Sequence, residues 1–136
     1  MANQPRILVV DDESSILLTL TAILERHGFD VDAAASAREG IQKLLEGVFQ
    51  VVITDMRMES PTAGYDVVRA AQMQPYQPVT LLLTAFPPEE AEWRASGIRA
   101  LFEKPVNVLA LIDELRAIIE HQLVRSGQAD RGTATG

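Results

Sequence analysis

The feature that most restricts this chain is a regular alternation between short apolar runs and longer stretches of helical period. Arg6-Ile-Leu-Val-Val10 stops at Asp11-Asp12-Glu13, and Val51-Val-Ile53 stops at Thr54-Asp55. Val79-Thr-Leu-Leu-Leu83 stops at Thr84-Ala85, and Leu101-Phe102-Glu103 stops at Lys104-Pro105. Short apolar runs separated by helical segments are the pattern of βα units around a parallel sheet. Four runs that each end in an acid, a hydroxyl or a lysine place these groups together along one edge of that sheet.

The pattern predicts strands at Arg6–Val10, Phe29–Ala33, Gln50–Thr54, Val79–Leu83 and Ala100–Glu103. Helix one is expected from Ser14 to His27, with Leu17, Leu20, Ile23 and Leu24 on one stripe and Gly28 closing it. Ser36-Ala-Arg-Glu39 is a capping box that opens helix two, which Gly47 stops. Helix three is expected over Ala63–Met73, and Pro87-Pro88-Glu89-Glu90 opens a short helix four that ends near Gly97. Helix five is expected over Asn107–Val124, with Leu109, Ile112, Leu115, Ile119 and Leu123 on one face. The expected organisation is one folded domain over residues 1–124. Residues 125–136 are small, polar and unpatterned, and are expected to be a flexible tail or the start of a linker.

Composition closes off several classes. A chain of 136 residues is long enough to bury one core. With 47% hydrophobic and 23% charged residues, it is expected to be globular and not disordered. A formal net charge of −7 disfavours nucleic acid and anionic membranes as partners. The absence of cysteine excludes disulfides, thiolate metal sites and cysteine nucleophiles. The start lacks a basic and apolar export signal, and no apolar stretch approaches the ~20 residues needed to cross a bilayer. A cytoplasmic location is expected.

Right-handed crossovers leave few arrangements for five parallel strands. The flavodoxin-like order 2-1-3-4-5 is expected, a doubly wound α/β sheet with five helices, because it puts amphipathic strand two and short strand five at the edges. Ligands of such sheets bind beyond the carboxyl ends of the strands, where Asp11, Asp12, Asp55, Thr84 and Lys104 all fall. Clustered acids repel and call for a cation. An all-oxygen set without His or Cys suits Mg²⁺. Strands lie ~4.8 Å apart, so Lys104 would sit about 10 Å from Asp55. At that distance the lysine is expected to meet a phosphoryl group carried by Asp55 and not the bare carboxylate. Each residue alone has an ordinary reading as a turn, a cap or a solvated charge. The combination, in this order, points to a carboxylate that accepts phosphoryl.

Over about residues 5–124 the chain resembles the receiver domain of two-component response regulators. The resemblance rests on Ile7-Leu-Val-Val-Asp-Asp-Glu13, Val52-Ile-Thr-Asp-Met-Arg-Met58, Leu82-Leu-Thr-Ala85 and Phe102-Glu-Lys-Pro105. It implies a non-enzymatic switch in which Asp55 takes phosphoryl from a histidine kinase or phosphotransfer protein. It implies Mg²⁺ held by Asp12 directly, by Asp11 largely through water, by Asp55 and by the backbone carbonyl of Arg57. Thr84 would bind the phosphoryl group, Lys104 would pair with its charge, and the Lys104–Pro105 peptide would be cis.

The resemblance also implies a read-out face formed by helix four, strand five and helix five, through which a downstream protein or a second copy would bind. The chain departs from the family at Leu101, where the family often has an aromatic switch residue; Phe102 lies beside it. Glu59 stands where a proline is common, and Gly64 comes one residue late, which lengthens the loop after Asp55. Three other readings are weaker. An aspartate-nucleophile phosphatase would want an acid where Arg57 stands, and a nucleotide-binding fold would want a Gly-rich loop with Lys-Ser/Thr after strand one. A receiver-like interaction module that is never phosphorylated would be expected to lose one of the acids, the threonine or the lysine, and all are present. The chain would be a stand-alone receiver or the receiver piece of a longer regulator.

Overall fold

In the computed structural model of the protein, the backbone is described for residues 4–135 and the side chains for residues 4–122. The strands are β1 (Arg6–Val10), β2 (Asp30–Ala34), β3 (Val51–Asp55), β4 (Val79–Thr84) and β5 (Ala100–Glu103). They alternate with helices α1 (Ser14–Arg26), α2 (Ala37–Glu46), α3 (Ala63–Gln72), α4 (Glu90–Ala95) and α5 (Val108–Thr135). Every strand pairing is parallel and the order is β2-β1-β3-β4-β5, as the sequence pattern predicts.

The sheet is covered on both faces, which explains why β1, β3 and β4 read as continuous apolar runs. Alternate residues of one strand serve opposite faces. Ile7, Val9, Ile53, Leu81 and Leu83 pack beneath α1 and α5, against Leu20, Leu24, Leu111, Leu115 and Ile118. Leu8, Val10 and Val52 face α2 and α3, against Leu44, Val67 and Ala71. A smaller cluster of Met56, Val68, Leu82, Trp93 and Ile98 holds α4 to the sheet. Leu101 joins that cluster, whereas Phe102 packs into the α1–α5 side, so the two neighbours serve opposite faces.

Local signals act as their chemistry dictates. Gly28 closes α1 at φ +92°, a conformation that costs glycine nothing. Ser36 Oγ accepts the Glu39 N–H, and Glu39 Oε1 reaches back to accept the Ala35 N–H, a reciprocal cap on α2.

Several expectations need correction. Phe29 is buried but lies outside β2, which starts at Asp30 and runs to Ala34. β3 starts at Val51 and extends to Asp55, and β4 extends to Thr84, so both site residues end their strands. The first helical residue of α4 is Glu90, beyond the two prolines, and α3 ends at Gln72. Leu109 is 72% exposed, and the buried face of α5 is Leu111, Ile112, Leu115 and Ile118. The helix starts at Val108, with Asn107 Oδ1 capping the Ala110 N–H, and at 3.6 residues per turn Leu109 falls outside the stripe that Val108, Leu111, Leu115 and Ile118 turn to the core. Its backbone runs on to Thr135, past the expected end at Val124; no proline follows Pro105 to stop it. Leu123 and the side chains of the expected tail, 125–136, lie outside the described residues. The division of the chain at Val124 is therefore a proposal.

Candidate functional site

The carboxyl edge of β1, β3 and β4 brings the predicted residues together. Asp11 follows β1 directly. Its N–H donates to the Ala34 carbonyl and its Oδ1 accepts the Glu13 N–H at 2.9 Å, so the carboxylate is turned inward and has no solvent exposure. Asp12, one residue on, is exposed because the chain has already left the strand. One carboxylate oxygen from each of Asp11, Asp12 and Asp55 lies within 4.8 Å of the others. This donor set is entirely oxygen and partly buried, which fits a hard divalent cation that keeps some of its waters.

Asp55 is held from behind. The Met56 N–H donates to the Leu83 carbonyl, Thr54 Oγ1 donates to the Asp55 carbonyl, and Gly64 returns the loop so that its N–H donates to Met56 O at 2.8 Å. A Cβ at Gly64 would collide with the Asp55 carbonyl oxygen and lie 2.6 Å from Met56 Cα, so the sequence needs glycine there. Asp55 is only 5% exposed. Its pKa is raised to about 6, first by burial and then by the charge of Asp11, with Lys104 working in the opposite direction.

Lys104 overturns the distance argument from the sequence. Its Nζ lies 3.0 Å from Asp11 Oδ2, 3.1 Å from Glu13 Oε1 and 3.4 Å from Asp55 Oδ2, so it touches the bare carboxylates directly. The reason is local. Lys104 lies one residue beyond β5 and its N–H continues the ladder by donating to the Thr84 carbonyl at 2.8 Å. The long lysine stem and the Asp55 side chain reach toward each other beyond the strand ends and together span the two strand spacings. The contact with Asp11 Oδ2 is an ion pair that is not aligned as a hydrogen bond. Burial works against the ammonium, yet its contacts with Asp11 and Glu13 and the charge of Asp55 hold its pKa above the usual lysine value. The Lys104–Pro105 peptide is cis.

Thr84 is buried, and its Oγ1 accepts the Phe86 N–H at 3.1 Å. In register, Asp55 pairs with Leu83, so Thr84 stands one residue beyond Asp55's neighbour. Arg57 and Phe86, two residues past Asp55 and Thr84, meet with the guanidinium 4.9 Å from the ring centroid. Glu13 was legible only as part of the acidic run, and sequence reasoning gave it no role; it is the third partner of Lys104. Glu59 was noted only as a departure from pattern. No sequence signal announced that its two carboxylate oxygens accept the Ala37 and Arg38 N–H groups at 3.0 and 3.1 Å.

The topology and the acidic edge define a class, the doubly wound α/β domains with a carboxylate pocket at the switch point. Within it, the chain belongs to the response regulator receiver domain family, whose model matches residues 7–116. It is 32% identical over 129 residues to the transcriptional regulatory protein ZraR of Escherichia coli K12, covering 93% of this chain and 28% of that protein. It superposes on the chemotaxis response regulator CheY4 of Vibrio cholerae with a TM-score of 0.77 and 30% identity, covering 85% of this chain and 99% of that one. It matches the response regulator TrrA of Thermotoga maritima, solved in complex with Mg²⁺–BeF, with a TM-score of 0.75 and 25% identity, covering 85% and 99% of the two chains. The chain spans 28%, 52% and 39% of the length of the first curated relatives it matches. Among the described residues, no helix is long and apolar enough to cross a membrane.

Proposed function

We propose that the chain is a phosphorylation-controlled switch of a two-component phosphorelay, with Asp55 as phosphoacceptor. The observation that carries this reading is the juxtaposition of a buried Asp55, two further aspartates and the ammonium of Lys104 in one pocket. An Asp55 carboxylate oxygen attacks the phosphorus of a phosphohistidine on a kinase or phosphotransfer protein. The P–N bond breaks, the imidazole leaves, and an aspartyl phosphate remains. Asp11, Asp12, Asp55 and the Arg57 carbonyl would hold Mg²⁺, which supplies charge neutralisation when bound. That TrrA was solved with Mg²⁺–BeF supports this assignment.

Lys104 already touches Asp11, Glu13 and Asp55, and redirects its charge to the incoming phosphoryl oxygens. Thr84 Oγ1, held by the Phe86 amide, is the hydroxyl placed to follow them. The same chemistry lets a small phosphodonor load the site and lets water slowly unload it. The response is a shift of a pre-existing equilibrium at the α4–β5–α5 face, read by a downstream protein or a second copy. The Met56–Trp93 cluster links that face to the residue after Asp55. Leu101 sits on the α4 side and Phe102 does not, so Leu101 occupies the place where the swing of a ring would otherwise report phosphorylation.

Incubation with a small phosphodonor and Mg²⁺ should give one acid-stable, base-labile adduct, followed by intact-mass measurement. It should vanish in Asp55→Ala; an unchanged adduct in that variant refutes the assignment. Lys104→Ala should fold and still present Asp55, but its phosphorylated and unphosphorylated forms should bind a partner alike.

A further inference from the structure

The loop between Asp55 and α3 is closed at its base by backbone bonds and packs through Met58 on the α2–α3 cluster and through Arg57 on Phe86, but few hydrogen bonds tie it to the rest of the domain. Met56 is fixed to β4 and Gly64 is fixed to Met56 through backbone hydrogen bonds. Between them, residues 57–63 bond largely among themselves: the Met58 and Ala63 N–H groups donate to the Ser60 carbonyl, and the Thr62 N–H donates to Ser60 Oγ. Among the described residues, the hydrogen bonds that tie this excursion to another element are those of Glu59. Both carboxylate oxygens engage consecutive N–H groups in the first turn of α2, which would otherwise lack intrahelical partners and which favours negative charge. Burial is the largest single influence on the Glu59 pKa and raises it, but the backbone bonds from Ala37, Glu59 itself and Arg38 together outweigh it and hold the pKa below the usual glutamate value.

The clasp joins neighbouring helices on one face of the sheet, since α2 and α3 share a core cluster. It also bridges the strands on either side of β1, from the loop after β3 to the helix after β2, in a sheet ordered β2-β1-β3. The acidic pocket opens along that edge. Arg57 lies two residues before Glu59 and two after Asp55, so the anchor restrains the short segment whose carbonyl would serve the proposed cation.

We propose that Glu59 is a positioning residue for the phosphoacceptor site: it clamps the β3–α3 loop onto α2 and sets the Arg57 carbonyl for Mg²⁺ and phosphoryl uptake. The inference rests on the reading of Asp55 and Mg²⁺ given above.

Isothermal titration of Mg²⁺ into the full chain separates this role from simple helix capping. Partners that orient a metal's ligands without touching it typically carry about tenfold in affinity, and Glu59→Ala is expected to weaken Mg²⁺ binding by about that factor. Phosphoryl uptake from a small phosphodonor should slow in parallel. Ser36→Ala removes the other side-chain cap of α2, the bond to the Glu39 N–H, without touching the loop. It should lower the unfolding midpoint and leave Mg²⁺ affinity unchanged. Glu59→Gln keeps one carbonyl acceptor and should fall between wild type and alanine. If Glu59→Ala and Ser36→Ala both lower stability while neither changes Mg²⁺ affinity, Glu59 is only a cap and the proposal fails. If the wild type binds no Mg²⁺, or Asp12→Ala binds it equally well, the metal assignment itself fails and the proposal falls with it.

Discussion

The acidic pocket proposed to accept phosphoryl and the end of the sheet proposed to report on it are built differently. At the pocket, Asp11, Asp55 and Thr84 are at most 5% exposed, and Lys104 is tied to three carboxylates. The backbone around them is fixed by strand-end bonds from Met56, Gly64 and Lys104. At the other end, α4 is only six residues long and has no side-chain cap at its start. Two exposed side-chain bonds fasten it to α3, Tyr65 to Glu92 and Gln72 to the Ser96 carbonyl. β5 is an edge strand with no fully buried residue. The contrast shows where rigidity is placed. Groups that must meet within hydrogen-bond distance are set by core and backbone, while α4 has one buried anchor, Trp93, and is otherwise held by exposed contacts that can be exchanged at little cost.

Two glycines break or sharpen this contrast most strongly. At Gly64 a methyl would meet backbone atoms of Asp55 and Met56 that cannot yield, so Gly64→Ala should cost about 3–4 kcal/mol by overpacking and angle strain. It should also abolish the proposed phosphoryl uptake, because the displaced atoms carry Asp55. At Gly97 the atoms a methyl would meet belong to the flexible end of Gln72, which would have to give up its bond to the Ser96 carbonyl, and the left-handed backbone at φ +83° adds strain. Gly97→Ala should cost about 1–2 kcal/mol and leave uptake intact. Denaturant unfolding together with the adduct assay checks both; equal losses would mean the two ends are equally rigid.

The electrostatic side of the contrast lies at Asp55. A folded-state pKa of about 6, against 3.8 for the free group, means the native state holds this proton more tightly than the unfolded chain does. The group's contribution to stability is therefore fully present below about pH 4 and lost as pH rises through about 6. The difference in unfolding free energy between Asp55→Asn and wild type should grow in the variant's favour by about 2–3 kcal/mol from pH 4 to 7.5 without Mg²⁺. Saturating Mg²⁺ should shrink that gap by binding the ionised form. A pH-independent difference would show that Lys104 neutralises Asp55 completely.

The sequence revealed the site better than its surroundings. Strand order and the meeting of Asp11, Asp55, Thr84 and Lys104 were legible because apolar runs set the strands and topology sets which ends coincide. The reach of Lys104 exceeds the expectation because backbone strand spacing leaves out the length of the side chains that extend from both ends of the gap. Leu109 turns outward because two overlapping apolar stripes can be drawn on α5, and the sheet selects the one through Val108, Leu111, Leu115 and Ile118. The Glu59 clasp spans 22 positions to Ala37 and leaves no periodic trace, so nothing local could announce it. Fold and chemistry follow from repeated patterns, whereas the fit of loops follows from single long-range bonds.

The smallest expected effect tests the exchangeable end directly. The Tyr65 hydroxyl donates to Glu92 Oε2 at 3.2 Å at an exposed position, and its pKa is raised by partial burial and then by the bond and charge of Glu92. Tyr65→Phe removes that bond and leaves the ring, which packs beside the Trp93 cluster. A single exposed hydrogen bond is worth about 0.5–1 kcal/mol, so global stability should fall by no more than this. Opening of α4 should become more frequent by the same free energy, seen as faster amide exchange at Trp93 to Ser96 and not at Met56. Adduct formation at Asp55 should keep its wild-type rate. A slowed rate would show that the α3–α4 contact also shapes the pocket, and that the chain has one rigid body where two have been distinguished.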